Sequence, residues 1–388
     1  MTEPIKVGFI PLTDAAPLIV ARELGFAAEE DLDITLVPAP SWATLRDRLV
    51  MGETDAAHIL APIPVAGALG IGNSDSRLEV LMALNLSGNA VTVSNELAEE
   101  MRAAGHDFSF ADATAAGRAL IALHRPLRIG VPFPFSMHAE LLYYWLETLG
   151  LAAPQALTVH TVPPPLMAAA LADGAIDAFC VGEPWNSLTV ENGDGTMLLP
   201  GSAIRNGGIE KVLAVRSGWP EQYPDRAGRL MRAIWRAGRW LDREDNRSTA
   251  AEILADSRWL DLPVGIVEHA LRDSFVISPR GDVRQTERFL TFHAGAANFP
   301  WRSQAAWIGM RIAARLGLDR AQSVAAAKSV FRTDLYRLHL RGIGADLPTA
   351  SEKLEGTLSV PTAVGSETGR VILAPDRFFD GSVFDPMK

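Results

Sequence analysis

The chain is poor in cysteine, in positive charge and in uninterrupted hydrophobic runs. Cys180 is the only cysteine among 388 residues, so no internal disulfide can form, and its apolar neighbours indicate a core thiol. The formal net charge of −10 argues against a general nucleic-acid or membrane surface, and any anion site must be built locally against that field. The longest apolar stretch, 56–72, contains His58 and two prolines, so we expect no membrane-spanning helix.

The N-terminal segment, MTEPIKVGFI, leads directly into a predicted strand. It has no basic region followed by an uninterrupted apolar run, and it has no lipid-accepting cysteine. The single cysteine of the chain also fits a reducing compartment. We therefore expect a cytoplasmic location for the chain as it stands.

One unit of strand, loop, helix and strand occurs twice. Residues 160–186, HTVPPPLMAAALADGAIDAFCVGEPWN, share their layout with residues 38–62, PAPSWATLRDRLVMGETDAAHILAP. A separation of 122 residues relates Gly8 to Gly130, Gly52 to Gly174, Asp55 to Asp177 and Pro62 to Pro184. The repeat predicts an α/β fold in which two βαβαβ half-sheets face each other across a cleft. By the same symmetry, we interpret the two aspartates as structural residues at strand entries.

Turn and strand signals divide the chain into four parts. Residues 1–92 would start lobe 1, residues 93–206 would form lobe 2, and residues 207–340 would return to lobe 1 with C-terminal helices. The Gly-, Pro-, Thr- and Ser-rich residues 341–388 would form an extended tail that packs little. The strands that cross between the lobes, near Gly88 and Lys211, would act as a hinge.

Residues 225–244 form a predicted amphipathic helix. Its apolar face carries Leu230, Ile234, Ala237 and Leu241. The opposite face, which we call the arginine stripe, carries Arg229, Arg232, Arg236, Arg239 and Arg243. We interpret the arginine stripe as a solvated helix face, with a partner-binding surface as the alternative.

Several long motifs resemble those of one protein family. They are GFIPLTDAAPL, SWATLRDRLVMGETDAAHILAP, FPFSMHAELLYYWL, VPPPLMAAALADGAIDAFCVGEPWN and FFDGSVFDP. Together they resemble the nitrate and bicarbonate solute-binding proteins of ABC transporters over nearly the whole chain. The resemblance implies a two-lobed, periplasmic-binding-protein-like fold of type II with a ligand cleft between the lobes. Transporter members carry export signals and lipid anchors, whereas this chain starts like the cytoplasmic nitrate and nitrite sensors of the NasS type.

The resemblance therefore implies a non-enzymatic sensor without a cofactor. Nitrate or nitrite would bind in the cleft and release an ANTAR-type RNA-binding antiterminator of the NasT type, without direct contact to nucleic acid or membrane. The alternative is a solute-binding protein of a nitrate ABC transporter. A more remote alternative is a pyrimidine-synthesising enzyme of the same superfamily, which would need a phosphate-cofactor lysine in a glycine-rich cradle or a metal cluster. The sequence shows neither pattern.

The resemblance also implies an anion site. Trp42 matches the family tryptophan, and His138 matches the histidine that follows the aromatic loop. Lys211 matches a position that is lysine in nitrate binders and acidic in bicarbonate binders. Asn89 stands where transporter members usually have glutamine, so a carboxamide donor is retained on a shorter side chain. Further cleft residues are Thr13, Pro164 and Glu183.

The chemistry of nitrate is consistent with these residues. Nitrate only accepts hydrogen bonds, so its site needs donors. Lys211, Trp42 and Asn89 donate, and His138 does so if it presents an N–H group. Because a charge-assisted bond is roughly twice as strong as a neutral one, we expect Lys211 to dominate. We expect no metal, since a metal bridge would suit bicarbonate. Glu183 carries the wrong charge for an anion and would orient a neighbour or brace the hinge.

Each site residue also has a purely structural interpretation. Trp42 could be a core aromatic residue, and His138 could be a hydrogen-bonded histidine at a helix start. Lys211 could form an ordinary surface ion pair with Glu210. The sequence leaves these alternatives open.

Overall fold

The computed structural model describes residues 3–72 and 77–388. The strands are β1 (Glu3–Phe9), β2 (Leu32–Pro38), β3 (Ala56–Leu60), β4 (Leu78–Ser87), β5 (Asn89–Ser94), β6 (Leu127–Val131), β7 (Leu157–Thr161), β8 (Ala178–Gly182), β9 (Gly195–Pro200), β10 (Ile209–Arg216), β11 (Ser274–Val276), β12 (Val283–Gln285), β13 (Leu290–Thr291), β14 (Thr362–Ala363) and β15 (Ile372–Leu373).

The α-helices are α1 (Ala16–Glu23), α2 (Trp42–Met51), α3 (Pro62–Ala68), α4 (Asn95–Ala103), α5 (Ala113–Ala122), α6 (Met137–Thr148), α7 (Met167–Ala172), α8 (Trp185–Glu191), α9 (Gly201–Ile204), α10 (Trp219–Gln222), α11 (Pro224–Leu241), α12 (Arg247–Ala255), α13 (Val264–Leu271), α14 (Arg302–Leu316), α15 (Arg320–Ser329) and α16 (Thr333–Leu340). Short 3-10 helices occupy Thr13–Ala15, Ala28–Glu30, Pro164–Leu166, Glu244–Asn246, Ala294–Ala296 and Arg341–Ile343. Within the described ranges, no helix is both long and apolar enough to cross a membrane.

Two separate sheets define the two lobes. The sheet of lobe 1 has the strand order β13-β4-β10-β3-β1-β2, and the sheet of lobe 2 has the order β7-β6-β8-β5-β9. Strands β3 and β8 are buried along their whole length, as continuous apolar strands are when helices cover both faces of a sheet. The predicted α/β fold with two lobes of type II is confirmed.

The internal repeat is visible in the strand register. In lobe 1, β1 and β3 run parallel with Val7 opposite Ala56. In lobe 2, β6 and β8 run parallel with Ile129 opposite Ala178. Each residue of the second pair lies 122 positions after its counterpart in the first, which is the separation seen in the sequence.

The repeated aspartates have the structural role predicted for them. The Asp55 carboxylate accepts a hydrogen bond of 2.8 Å from the backbone N–H of Lys6. The Asp177 carboxylate accepts an equivalent bond of 2.8 Å from the backbone N–H of Arg128. Each aspartate therefore ties the end of a helix-to-strand turn to the neighbouring parallel strand.

The chain crosses between the lobes twice. It passes from β4 to β5 through Gly88, whose φ of +100° lies in the left-handed region that favours glycine. It returns from β9 through α9 to β10. Because β5 pairs with β8 and β9, lobe 2 begins at Asn89, slightly before the predicted boundary at residue 93.

Four arginines of the stripe lie on α11, whose apolar face is buried in the core, and Arg243 follows the end of this helix. Arg232 lies 2.7 Å from Glu30, and Arg236 lies 2.9 Å from the same carboxylate. Arg236 also contacts Glu29 at 3.3 Å. Part of the stripe is therefore used in ion pairs within lobe 1, which reduces the charge that it offers to a partner.

The prediction that residues 341–388 pack little is wrong. Glu355 in this tail is completely buried and lies 3.2 Å from the equally buried Arg205. Phe378 packs against Trp307 and is also buried. The composition indicates irregular structure correctly, but it does not reveal that buried cations elsewhere in the chain pair with the acidic residues of the tail.

Candidate anion site between the lobes

Lys211 lies at the centre of a buried polar cluster. It belongs to β10, and its ammonium group is 2.7 Å from Asp14 Oδ2 and 3.1 Å from Glu210 Oε1. Burial lowers the pKa of Lys211, but the two carboxylates outweigh this effect and raise it overall. All three side chains are almost fully buried, so the interpretation of Lys211 and Glu210 as a surface ion pair is wrong.

Asp14 connects this lysine to a buried histidine. Asp14 Oδ1 lies 3.0 Å from Nε2 of His58, which projects from β3. Burial alone would raise the pKa of Asp14. The nearby Lys211 and His58 lower it by more than burial raises it, so Asp14 is ionised. Burial lowers the pKa of His58 despite Asp14, which favours the neutral imidazole. Our sequence interpretation did not place either residue in the site, although a histidine inside the apolar run AAHIL was a usable signal.

Glu210 connects the lysine to lobe 2. Asn89, the first residue of β5, donates from Nδ2 to Glu210 Oε2 over 2.6 Å. His138 Nδ1 lies 3.3 Å from Glu210 Oε1. Burial raises the pKa of Glu210 to about 7, although Lys211 lowers it in part. Burial also holds the pKa of His138 well below its usual range, so its imidazole is neutral.

Two helix N-termini, one from each lobe, enter the site. Ser41 caps α2 by accepting from the backbone N–H of Thr44, which places Trp42 at the first helical position. Ser136 caps α6 in the same way, which places His138 in the first turn. The N-terminal end of a helix carries a partial positive charge, so both ends favour a bound anion.

Several buried polar atoms of the site are unpaired. Trp42 Nε1, Thr13 Oγ1 and both ring nitrogens of His138 make no hydrogen bond of regular geometry to any described residue, although His138 Nδ1 lies 3.3 Å from Glu210 Oε1. The Lys211 ammonium lies 5.6 Å from the centroid of the Trp42 ring. A buried polar group without a partner costs about 1–3 kcal/mol, and native proteins contain few of them. The concentration of such donors around one lysine is typical of a ligand site.

Glu183 lies at a direct contact between the lobes. Its carbonyl oxygen accepts a 2.8 Å hydrogen bond from the backbone N–H of Thr13. Its carboxyl group accepts from the backbone N–H of Ser187, and burial raises the pKa of Glu183 to about 7. Pro164 is buried at the start of a 3-10 helix in lobe 2, and none of the described contacts of the cluster involves it.

The structure therefore changes the predicted composition of the site. It brings Trp42, His138 and Lys211 together with Asn89, but it adds two buried carboxylates, Asp14 and Glu210, to what we predicted to be a set of donors alone. The amide N–H of Asn89 and the ammonium of Lys211 are already bonded to these carboxylates. In residues 3–72 and 77–388, no three His, Cys, Asp or Glu residues are grouped closely enough to hold a metal ion.

The cluster is closed to solvent. Its residues have relative exposures of at most 1 %, namely Thr13, Asp14, Trp42, His58, Asn89, His138, Glu210 and Lys211. A separate groove of about 420 Å³ between the lobes is lined by Arg46 and Met51 of α2 and by Phe133 and Phe135 of lobe 2, and it does not reach the cluster. In this arrangement of the lobes, the cluster therefore has no contact with solvent.

A two-lobed fold with a polar cluster enclosed between the lobes is the architecture of the periplasmic-binding-protein-like class. The chain belongs to the NMT1-like family, whose model matches residues 1–255.

Its relatives include nitrate-binding proteins. The nitrate/nitrite binding protein NrtA of Nostoc sp. is 31% identical over all of this chain and 84% of the relative. The bicarbonate-binding protein CmpA of Synechococcus elongatus is 27% identical over 98% of this chain and 84% of the relative. The crystal structure of the periplasmic nitrate-binding protein NrtA from Synechocystis PCC 6803 matches with a TM-score of 0.85 and 26% identity, and it covers all of this chain and 96% of NrtA. The resemblance to solute-binding proteins of nitrate transporters is confirmed, and closeness to the NasS-type sensors stays a prediction.

Proposed function

We propose that the chain binds nitrate or nitrite in the buried cluster between its lobes. The observation that carries the proposal is the set of unpaired buried donors at Trp42, Thr13 and His138 around the Lys211 ammonium. Nitrate and nitrite accept hydrogen bonds without donating any, so they fit donors better than they fit carboxylates. The similarity of the whole chain to nitrate-binding proteins supports this ligand class.

Binding stabilises the closed arrangement. Lys211 and Trp42 belong to lobe 1, whereas His138 and Asn89 belong to lobe 2. An anion held from both sides favours the closed form by the difference in its free energy of binding to the two forms. The ligand therefore controls whether a partner meets an open or a closed protein.

As the primary role, we propose delivery of the anion to an ABC-type importer, because the relatives named above are nitrate- and bicarbonate-binding proteins and one of them is periplasmic. The second candidate is the cytoplasmic sensor that releases an RNA-binding antiterminator of the NasT type. It is favoured by Asn89, which stands where transporter members usually have glutamine and which donates to Glu210 instead of being free for a ligand. Neither role involves catalysis.

Isothermal titration calorimetry with nitrate, nitrite and bicarbonate tests the ligand. We expect nitrate or nitrite to bind without added metal and more tightly than bicarbonate. Tighter binding of bicarbonate, or a requirement for Ca²⁺, would overturn the ligand assignment. Co-purification with the antiterminator, with and without nitrate, separates the two roles: a complex that nitrate dissolves supports the sensor, and no complex supports the importer.

A further inference from the structure

The charges around Lys211 do not balance for an anion. Lys211 is positive, Asp14 is ionised, and the two nearby histidines are neutral. If Glu210 were also ionised, a bound nitrate would be the third negative charge against one ammonium, in a cluster without contact to solvent. Like charges in a low-dielectric interior repel strongly, so one of the three must be neutralised for the anion to bind.

Glu210 is the carboxylate best placed to accept a proton. The polar and titratable groups that face it are Lys211 of its own strand, Asn89 of β5, His138 of α6, Asp14 of the 3-10 helix and Cys180 of β8. The ionised form of Asp14 is stabilised more strongly than that of Glu210, because both Lys211 and His58 contact Asp14. Glu210 has Lys211 and the neutral amide of Asn89 as hydrogen-bond donors.

We propose that the site takes up one proton with each nitrate or nitrite, and that Glu210 carries this proton and thereby determines which anions bind. This inference rests on the proposed function. The proton passes from the buffer acid to a carboxylate oxygen of Glu210, where a new O–H bond forms.

Protonation of Glu210 also prepares His138 for the anion. Glu210 Oε1 lies 3.3 Å from Nδ1 of His138. When the carboxylate is ionised, it favours the tautomer with hydrogen on Nδ1, which leaves a lone pair on Nε2. When Oε1 carries a proton, Nδ1 can accept it in a hydrogen bond, so the imidazole hydrogen moves to Nε2. The unpaired Nε2 then presents an N–H group to the ligand.

The pH dependence follows from this assignment. The pKa of Glu210 in the free protein is about 7, and a neighbouring anion raises it further. Below the free pKa the proton is already present, so affinity is independent of pH. Above it, the proton must be taken up on binding, and affinity falls by up to roughly tenfold per pH unit until the pKa of the complex is reached.

The same mechanism distinguishes anions that carry a hydrogen atom from anions that carry none. Bicarbonate carries a hydroxyl hydrogen that it can donate to ionised Glu210, and this charge-assisted hydrogen bond offsets part of the repulsion without a proton from solvent. Nitrate and nitrite have none, and their binding draws one from the buffer. Glu210 would therefore favour nitrate at acidic pH and would lose this preference as the pH rises.

Calorimetry in two buffers of different ionisation enthalpy, PIPES and Tris, measures the proton directly. For the wild-type protein with nitrate, we expect close to one proton taken up at about pH 8 and close to none at about pH 6. Nitrate binding without proton uptake at both pH values would overturn this inference and leave the proposed function intact. No binding of nitrate or nitrite in any buffer would overturn both.

Matched variants locate the proton. Glu210→Gln should abolish the uptake and make the nitrate Kd independent of pH. Glu183→Gln is the control, because Glu183 is also buried, lies at the contact between lobes and has a pKa of about 7, yet it contacts neither Lys211 nor His138. Uptake that persists in Glu210→Gln but disappears in Glu183→Gln would overturn the assignment to Glu210. If Glu210→Gln does not fold, the wild-type measurement still shows whether a proton is taken up. Loss of this uptake in Glu183→Gln would still overturn the assignment to Glu210.

Discussion

Two lysines, the fully buried Lys211 and the partly buried Lys353, have the same local arrangement and different surroundings. Lys211 lies between Asp14 and Glu210 in the cleft, and Lys353 lies between Glu355 and Asp376 where the tail packs. In both cases the carboxylates outweigh burial and raise the pKa of the lysine. The ammonium and its two carboxylates alone therefore do not distinguish a ligand site from a structural ion cluster.

The surroundings make the distinction. At the tail, Arg205 supplies a second cation, so two positive groups face two carboxylates, and Ser303 donates to Glu355 as well. In the cleft, Lys211 is the cation for two carboxylates among the described residues, and unpaired donors surround it. The tail cluster balances two cations against two carboxylates, which suits a structural role, whereas the cleft cluster leaves its carboxylates in excess and its unpaired donors come from both lobes.

The largest expected effect on nitrate affinity separates the two lysines. Lys211→Met should weaken nitrate binding by about a hundredfold or more, because the anion loses its charged partner and meets two carboxylates. Lys353→Met is the matched control and should leave the nitrate Kd within about threefold, since distant sites act independently. Calorimetry measures the nitrate affinity of both variants. An equal loss of affinity in the two would contradict the distinction between a ligand-binding and a structural lysine.

The reverse pattern is expected for stability when the tail cluster is changed. Glu355→Gln removes the carboxylate that forms ion pairs with Arg205 and Lys353 and accepts a hydrogen bond from Ser303. We expect the free energy of unfolding to fall by about 3–5 kcal/mol, because buried cations then lack a partner. Denaturant unfolding measures this change. A folded Glu355→Gln protein should bind nitrate like the wild type, and a large loss of affinity would show that the tail contributes to the site.

A smaller effect is expected at Trp42. Trp42→Phe keeps an aromatic ring but removes the unpaired Nε1 donor. The nitrate affinity should fall by roughly tenfold, which corresponds to one lost hydrogen bond of about 1–1.5 kcal/mol. Calorimetry measures the affinity and thermal unfolding measures the stability. An unchanged affinity would assign Trp42 to the core alone.

The smallest effect is expected where the tail contacts lobe 2. Tyr144 of α6 donates a 2.7 Å hydrogen bond to Asp380 at an exposed position. Tyr144→Phe should lower the free energy of unfolding by about 1 kcal/mol or less and leave nitrate binding unchanged. Denaturant unfolding and calorimetry check both statements, and a marked change in affinity would link this tail contact to closure of the lobes.

Much of the fold could be predicted because local patterns repeat. The paired glycines and aspartates, together with the buried runs AAHIL and AFCVG, indicated two equivalent half-sheets. Val7 lies opposite Ala56, and Ile129 lies opposite Ala178. The residues of the second pair follow those of the first by the same 122 positions. The tail was misjudged, because pairing between residues as distant as Arg205 and Glu355 leaves no local pattern in the sequence.

The grouping of four candidate side chains was predicted, whereas their binding of nitrate stays a prediction. The resemblance indicated Trp42, His138, Lys211 and Asn89, and the structure brings their side chains to one cluster. Asp14 and Glu210 were missed because a nitrate site was expected to contain donors alone. Their role depends on burial and on contact across the cleft, and neither property is encoded in the spacing of the residues.

The sequence by itself determined the α/β class and the internal repeat, and its long family motifs indicated four of the side chains in the cluster, since these follow from local patterns. Only the tertiary structure decided the electrostatics of the site. The pKa of a carboxylate depends on how deeply it is buried and on which charges lie within a few ångströms of it. For Glu210 those neighbours come from β5, β10 and α6, which are distant in the sequence and meet only in the tertiary structure.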